Sequence, residues 1–172
     1  MASAQQNRVL IVDDDAGMRG VIARHFRRKG YEVEQAEAAE EVIGRFATGR
    51  GRYDVVVTDV HLPGASGVEL ARQIRHVWPE QPVIVMTGDA DASIAQRALR
   101  SGAAGFLIKP FEFFELDAVV DHALRCARAL RARPQAPAAR PVERAARMRL
   151  RVLLVAGAML ALAWLAGSVL VR

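Results

Sequence analysis

The chain has 172 residues and a formal net charge of +5, enough length for one domain with a full core and a small segment besides. Its supply of Leu, Ile, Val and Ala beside charged residues excludes a disordered chain, and a single cysteine, Cys126, excludes an internal disulfide and fits a reducing compartment. The charge is split: residues 1–125 hold 15 Lys and Arg against 18 Asp and Glu, a net of −3, while residues 126–172 hold 9 Arg against Glu143, a net of +8, which excludes a basic globular domain built for nucleic acid.

The opening residues, Met1 to Arg8, are polar, and no secretory signal is expected there. Val9-Leu10-Ile11-Val12 predicts a strand at 8–13 that ends on Asp13 and Asp14. Asp15 is placed to cap a helix at about 15–29, and Gly30 to stop it. A strand at 31–36 and a helix at 38–48 follow, with Gly49 and Gly51 beyond the helix end. Val55-Val56-Val57-Thr58 predicts a strand at 54–59 closed by Asp59, before a helix at 65–77 with Ser66 near its start. Val83-Ile84-Val85-Met86 predicts a strand at 82–87 that runs into Thr87 and Gly88. A helix at 91–101 is expected between Asp91 and Gly102. The last pair is a strand at 104–109, with Phe106-Leu107-Ile108 before Lys109, and a helix at 111–131. Five short strand-like segments alternating with helices predict an α/β fold, a flavodoxin-like, doubly wound five-stranded parallel sheet of (βα)5 type.

Beyond this domain, read as residues 7–130, lies an Ala/Arg/Pro linker and basic juxtamembrane segment at 131–150. Pro134, Pro137 and Pro141 argue for a semi-extended chain. Residues 151–172 then contain the uncharged run Val152–Val171, which as one helix spans about 30 Å, the thickness of a bilayer's hydrocarbon core. A single C-terminal transmembrane helix is therefore expected. Arg149 and Arg151 precede it and only Arg172 follows, so the positive-inside rule places the domain and the N-terminus on the cytoplasmic side of the membrane. The Arg140/Arg144/Arg147/Arg151 stripe could meet anionic headgroups, at roughly 1 kcal/mol per contact. Gly157/Ala161 and Ala163/Gly167 are small pairs that would let such helices pack, which leaves a homodimer open.

The chemistry gathers at strand ends. In open α/β sheets the carboxyl ends of the strands line the crevice where ligands bind. Asp13, Asp14 and Asp59 would meet there, repel one another and need a cation; hard oxygen ligands point to Mg²⁺. A carboxylate held in this way can attack phosphorus, which makes Asp59 the expected nucleophile. Lys109 would offset charge on the transferring oxygens, Thr87 would hydrogen-bond one of them, and Gly88 would leave the group room to enter.

Four stretches carry a resemblance: VLIVDDD at 9–15, VVVTDVHLPGASGVEL at 55–70, VIVMTGDA at 83–90 and GFLIKPF at 105–111. Together they resemble the response-regulator receiver domain of two-component signalling, over roughly residues 7–130. The resemblance implies a phosphoacceptor switch, not an enzyme, in a bacterial phosphorelay. Asp59 would accept phosphate from a sensor histidine kinase or phosphotransfer protein. Asp14, Asp59 and the backbone carbonyl of His61 would ligate Mg²⁺, with Asp13 acting mainly through water. Lys109 would contact the phosphoryl group, and the Lys109-Pro110 bond would be cis. Gly67 would serve a sharp turn after the phosphoacceptor. His61 and Asp89 would tune dephosphorylation, and Leu62 stands where Met is frequent.

Thr87 and Phe106 would be the switch pair. Phosphorylation adds charge and acceptor oxygens; Thr87 moves toward them and Phe106 turns into the space left behind. The surface altered would include Arg97, Arg100, Glu112, Asp117 and Asp121. His25, His76 and His122 lack metal-ligand spacing and are expected at surface or half-buried positions.

Residues 131–172 hold no helix-turn-helix pattern and no P-loop, so no specific DNA binding is expected from them. The expected function is a membrane-anchored receiver at the cytoplasmic face of the inner membrane, signalling by protein–protein contact to a downstream protein that lies, in one reading, in the membrane itself. The alternative is a diffusible single-domain receiver, a phosphate shuttle or sink whose apolar tail oligomerises. A phosphohydrolase is disfavoured because His61 stands where such enzymes carry a second Asp. A flavodoxin-like cofactor binder is disfavoured because Asp13 and Asp14 would repel phosphate in the first loop.

Overall fold

A computed structural model of the chain describes residues 6–132 apart from 50, 89–96 and 99. Its strands are β1 (Arg8–Val12), β2 (Glu32–Ala36), β3 (Val55–Asp59), β4 (Val83–Thr87) and β5 (Gly105–Ile108). The helices are α1 (Ala16–Arg28), α2 (Ala39–Ala47), α3 (Gly67–Val77) and α4 (Phe113–Ala132), and residues 97, 98 and 100 are also helical. All strand pairings are parallel, in the order β2-β1-β3-β4-β5. The doubly wound five-stranded parallel sheet expected from the sequence is the architecture observed.

Side chains of a strand alternate between two faces, and here both faces are covered. Leu10, Val12, Val56, Val83 and Val85 pack with Val42, Phe46, Leu70 and Ile74 of α2 and α3. Val9, Ile11, Val55, Val57, Ile84 and Met86 pack with Ile22, Phe26, Leu116 and Val120 of α1 and α4. The three central strands therefore read as unbroken apolar runs. The edge strand β2 buries only Ala36, and its Glu34 is tied down by Arg8, Arg45 and the Tyr53 hydroxyl.

Helix ends follow local chemistry. Asp15 caps α1 by accepting from the amides of Gly17 and Met18, and Ser66 caps α3 by accepting from Glu69. Gly30, Gly49 and Gly102 follow helical stretches with positive φ values of 84°, 75° and 85°, a region that side chains disfavour. Gly51 has no such φ and instead lies against Phe46.

Several expectations fall on undescribed residues: Asp91, most of the 91–101 helix, the arginine stripe, the apolar run Val152–Val171 and its small pairs all lie outside the described part of the chain. Among the described residues, no helix is long and apolar enough to cross a membrane.

Phe26 is wholly buried between α1 and the sheet, edge-on to Tyr31. Phe26→Ala is expected to cost about 3–5 kcal/mol, seen as a lower urea midpoint with an unchanged slope. A loss under about 1 kcal/mol would mean that this face of the core tolerates a void.

Candidate functional site

Each proposed group sits where a strand stops. Asp13 follows β1 and its amide still bonds the carbonyl of Ala36, so β1–β2 pairing holds it in place. Asp59 ends β3, paired with Met86, and the next amide, of Val60, bonds the Met86 carbonyl. Thr87 ends β4 and Lys109 follows β5, where its amide bonds the carbonyl of Thr87. These ladders bring residues 96 positions apart together without help from the loops.

Asp13 is 1% exposed, Asp59 5% and Thr87 0%. Two carboxylates at such depth repel each other and lose hydration, and a cation between them answers both costs. That cation is Lys109, whose Nζ lies 2.9 Å from Asp13 Oδ2 and 2.6 Å from Asp59 Oδ1. The free oxygens are also engaged. Asp13 Oδ1 accepts from the amide of Asp15 at 2.9 Å, and Asp59 Oδ2 from the amide of His61 at 2.7 Å. The peptide bond after Lys109, to Pro110, is cis as expected.

Burial pushes the Lys109 ammonium toward deprotonation, but the hydrogen bonds it donates to Asp59 and Asp13 outweigh it and hold its pKa above the ordinary 10.5. A raised pKa in the folded state stabilises the fold below the ordinary lysine value and loses that contribution as pH climbs through the folded value.

The structure redraws one expectation about the acids. Asp14 is exposed, and its carboxylate does not join Asp13 and Asp59 as a buried trio. Among the described residues, no three His, Cys, Asp or Glu side chains are grouped as a metal-ligand cluster. The physical reason is the lysine: one ammonium satisfies the two buried carboxylates, and a third is better hydrated at the rim. Asp13 and Asp59 still offer two hard carboxylates against one ammonium, a donor type that suits a small hard cation. The chemistry of the residues present thus fits Mg²⁺.

The turn after Asp59 needs glycine at two positions for two reasons. At Gly67 φ is not positive; a Cβ there would lie 1.8 Å from the Asp59 carbonyl oxygen, so close approach excludes every side chain. The backbone reversal falls instead on Gly64, with φ 79°, a position that sequence reasoning passed over. Among the described residues, nothing lies within 4 Å of a Cβ placed on Gly88, beside Thr87.

Phe106 is half-buried against the core face formed by α2 and α3. Arg97, Arg100 and Glu112, expected on the surface altered by phosphorylation, are exposed. Asp117 was assigned to that surface and does not belong to it. Its carboxylate turns to α1 and pairs with His25 Nε2 at 2.8 Å and Lys29 Nζ at 2.9 Å. Burial works against the charged form, yet the bonds from His25 and Lys29 hold the Asp117 carboxyl below its usual range. Asp121 is exposed, and its charge adds to that of Asp117 in raising the pKa of Lys29. His25 is half-buried and stacked on Phe113, His76 is exposed, and exposed His122 contacts Cys126, the surface and half-buried positions expected of them. Asp89 lies outside the described residues.

Arg19 was not singled out from the sequence. It reaches back from α1 to the backbone carbonyls of Asp13 and Asp14. Nothing in residue type or spacing marks it; only the turn of α1 over the loop brings it there.

Known proteins agree with this geometry. The model for the response regulator receiver domain matches residues 9–121. The regulatory protein AtoC of Escherichia coli is 35% identical over 119 residues, which cover 69% of this chain and 25% of AtoC. The response regulator protein FleR of Pseudomonas aeruginosa is 39% identical over 121 residues, covering 68% of this chain and 24% of FleR. The chain thus matches about a quarter of the length of these relatives. A receiver domain protein from Clostridium thermocellum superposes with a TM-score of 0.67 at 29% identity, covering 72% of this chain and 98% of that one. TrrA of Thermotoga maritima, solved with Mg²⁺ and a beryllium fluoride, gives 0.62 at 30% identity over 69% and 99%. The beryllofluoride-activated NtrC4 receiver dimer gives 0.65 at 29% over 70% and 98%.

Lys109→Met removes the cation from two buried carboxylates and is expected to cost about 3 kcal/mol near neutral pH without divalent metal. The gap between wild type and variant should close above pH 10.5, as the wild-type ammonium is also lost. Comparing the two proteins cancels the alkaline losses from Tyr31 and Tyr53, whose phenols burial pushes up. Urea unfolding across that range checks this, and a gap that persists unchanged would reject the lysine as the bridging charge.

Proposed function

This chain belongs to the response regulator receiver domain family, and from that premise we propose that Asp59 is its phosphoacceptor, charged by a sensor histidine kinase or a phosphotransfer protein. The observation that carries the assignment is the ammonium of Lys109 lying between buried Asp59 and Asp13 at the carboxyl ends of the strands. An oxygen of Asp59 attacks the phosphorus of a phosphohistidine; the P–N bond breaks as the P–O bond forms, and the histidine keeps the electron pair. Lys109, already 2.6 Å from Asp59, follows the charge onto the phosphoryl oxygens. The His61 amide holds the second carboxylate oxygen in place, and Thr87 stands at the end of the neighbouring strand to accept the new group.

Asp14, Asp59 and the His61 carbonyl would hold Mg²⁺, with Asp13 acting through water; the solved Mg²⁺ complex of TrrA supports this reading. The ion, when bound, offsets negative charge on the transferring oxygens. The chain acts as a switch. Thr87 moves toward the phosphoryl group and half-buried Phe106 fills the space, altering the surface of Arg97, Arg100 and Glu112. The NtrC4 dimer supports homodimerisation as one output. Incubation with a small-molecule phosphodonor and Mg²⁺ should add one phosphoryl group to the wild type, seen by intact mass. Asp59→Asn should abolish the addition; persistent labelling of that variant would move the acceptor elsewhere.

The run Val152–Val171 supports a further part of the reading: a helix anchoring the domain at the cytoplasmic face of the inner membrane, with the arginine stripe on the lipid headgroups. The downstream partner would then be a protein met at the membrane. Fractionation of the full chain and of a version ending at Arg133 separates the options. Resistance of only the full chain to salt and carbonate is the expected result. Release by salt would assign attachment to the arginines, and a wholly soluble chain would favour the diffusible alternative with an oligomerising tail.

A further inference from the structure

The acidic loop is held from behind. Asp13 has its amide on the Ala36 carbonyl and both carboxylate oxygens bonded, so it is fixed by the sheet and by Lys109. Asp14 has an exposed side chain and no such anchors. What brackets it is Arg19. One nitrogen of that guanidinium, Nη1, donates to the Asp13 carbonyl and lies 3.4 Å from the Asp14 carbonyl. These are the two peptide oxygens on either side of the Asp14 α-carbon, so fixing both fixes the direction in which its side chain leaves the backbone. The other nitrogen, Nη2, lies 3.9 Å from Glu37, which follows β2. The guanidinium itself is mostly buried, on the wall of an open polar groove with Gln35, Ala36, Glu37 and Glu41.

We infer that Arg19 is a positioning residue for Asp14, setting the backbone so that this carboxylate faces the metal crevice. The inference rests on the reading of Asp14 as a Mg²⁺ ligand. It does not follow from charge. A guanidinium beside a cation site repels the ion, so on Coulomb's law alone its removal would tighten Mg²⁺ binding. Positioning predicts the opposite sign, because a ligand released from its outer partner binds more weakly. The planar fork matters as well. An ammonium in the same place keeps the charge but is a single point, and cannot span the two carbonyls and Glu37 together.

The test is Mg²⁺ titration by calorimetry on the full chain in a nonionic detergent, with no phosphodonor present. Arg19→Gln is expected to weaken Mg²⁺ binding roughly tenfold while leaving the far-ultraviolet circular dichroism unchanged. Arg19→Lys should weaken it in the same direction, and it carries the test by the same criterion if the glutamine variant does not fold. Arg24→Gln, an exposed change on the same helix, should leave the affinity where it is. Asp14→Asn separates the two layers of the argument. If it abolishes binding while both Arg19 variants bind as well as or better than wild type, the positioning role is overturned and the metal reading stands. If Asp14→Asn binds like wild type, the metal reading itself fails, and the role of Arg19 with it.

Discussion

The ammonium of Lys109 between the carboxylates of Asp13 and Asp59 is the contact on which the rest of the site depends. Two buried acids at the end of a sheet would repel each other and force either protonation or expansion. A single lysine delivered from the edge strand β5 removes that conflict. The same contact ties β5 to β1 across the top of the sheet, although β5 pairs only with β4. Charge neutralisation and sheet closure are one interaction here.

The sheet makes that contact possible. Its central strands are buried on both faces, so a shift of register by one residue would exchange two well-filled cores. Register is therefore pinned by packing far from the crevice, and the acids, Thr87 and Lys109 inherit their positions from it. The close approach of Gly67 to the Asp59 carbonyl adds a local constraint: α3 starts so near the end of β3 that no side chain fits between them. Precision at the site is thus supplied by the apolar body of the domain and one glycine.

The helices divide the labour. Asp117 on α4 is committed to His25 and Lys29 of α1, with Phe113 stacked on the His25 ring, which joins the first and last helices into one side of the molecule. On another part of the surface, Arg97 and Arg100 are exposed. Arg19 belongs to the quieter side, where α1 turns back over the acidic loop and grips its backbone.

Much of this was legible in the chain. Four apolar runs of strand length, each leading into Asp, Thr or Lys, determined both the parallel sheet and the edge where chemistry would gather, because strands buried on both faces must be apolar and their polar residues appear at the ends. Asp15 and Ser66 as caps, and Gly30, Gly49 and Gly102 as stops, were readable from local backbone chemistry alone. Tertiary structure alone decided which acids the lysine would satisfy, why Gly67 must lack a side chain, which helix would claim Asp117, and that Arg19 would reach the carbonyls of Asp13 and Asp14. These are contacts between residues separated by a turn in space rather than by a period in sequence. Residue type and spacing carry burial and secondary structure, but the direction of a long charged side chain is set by whatever the completed fold places within its reach.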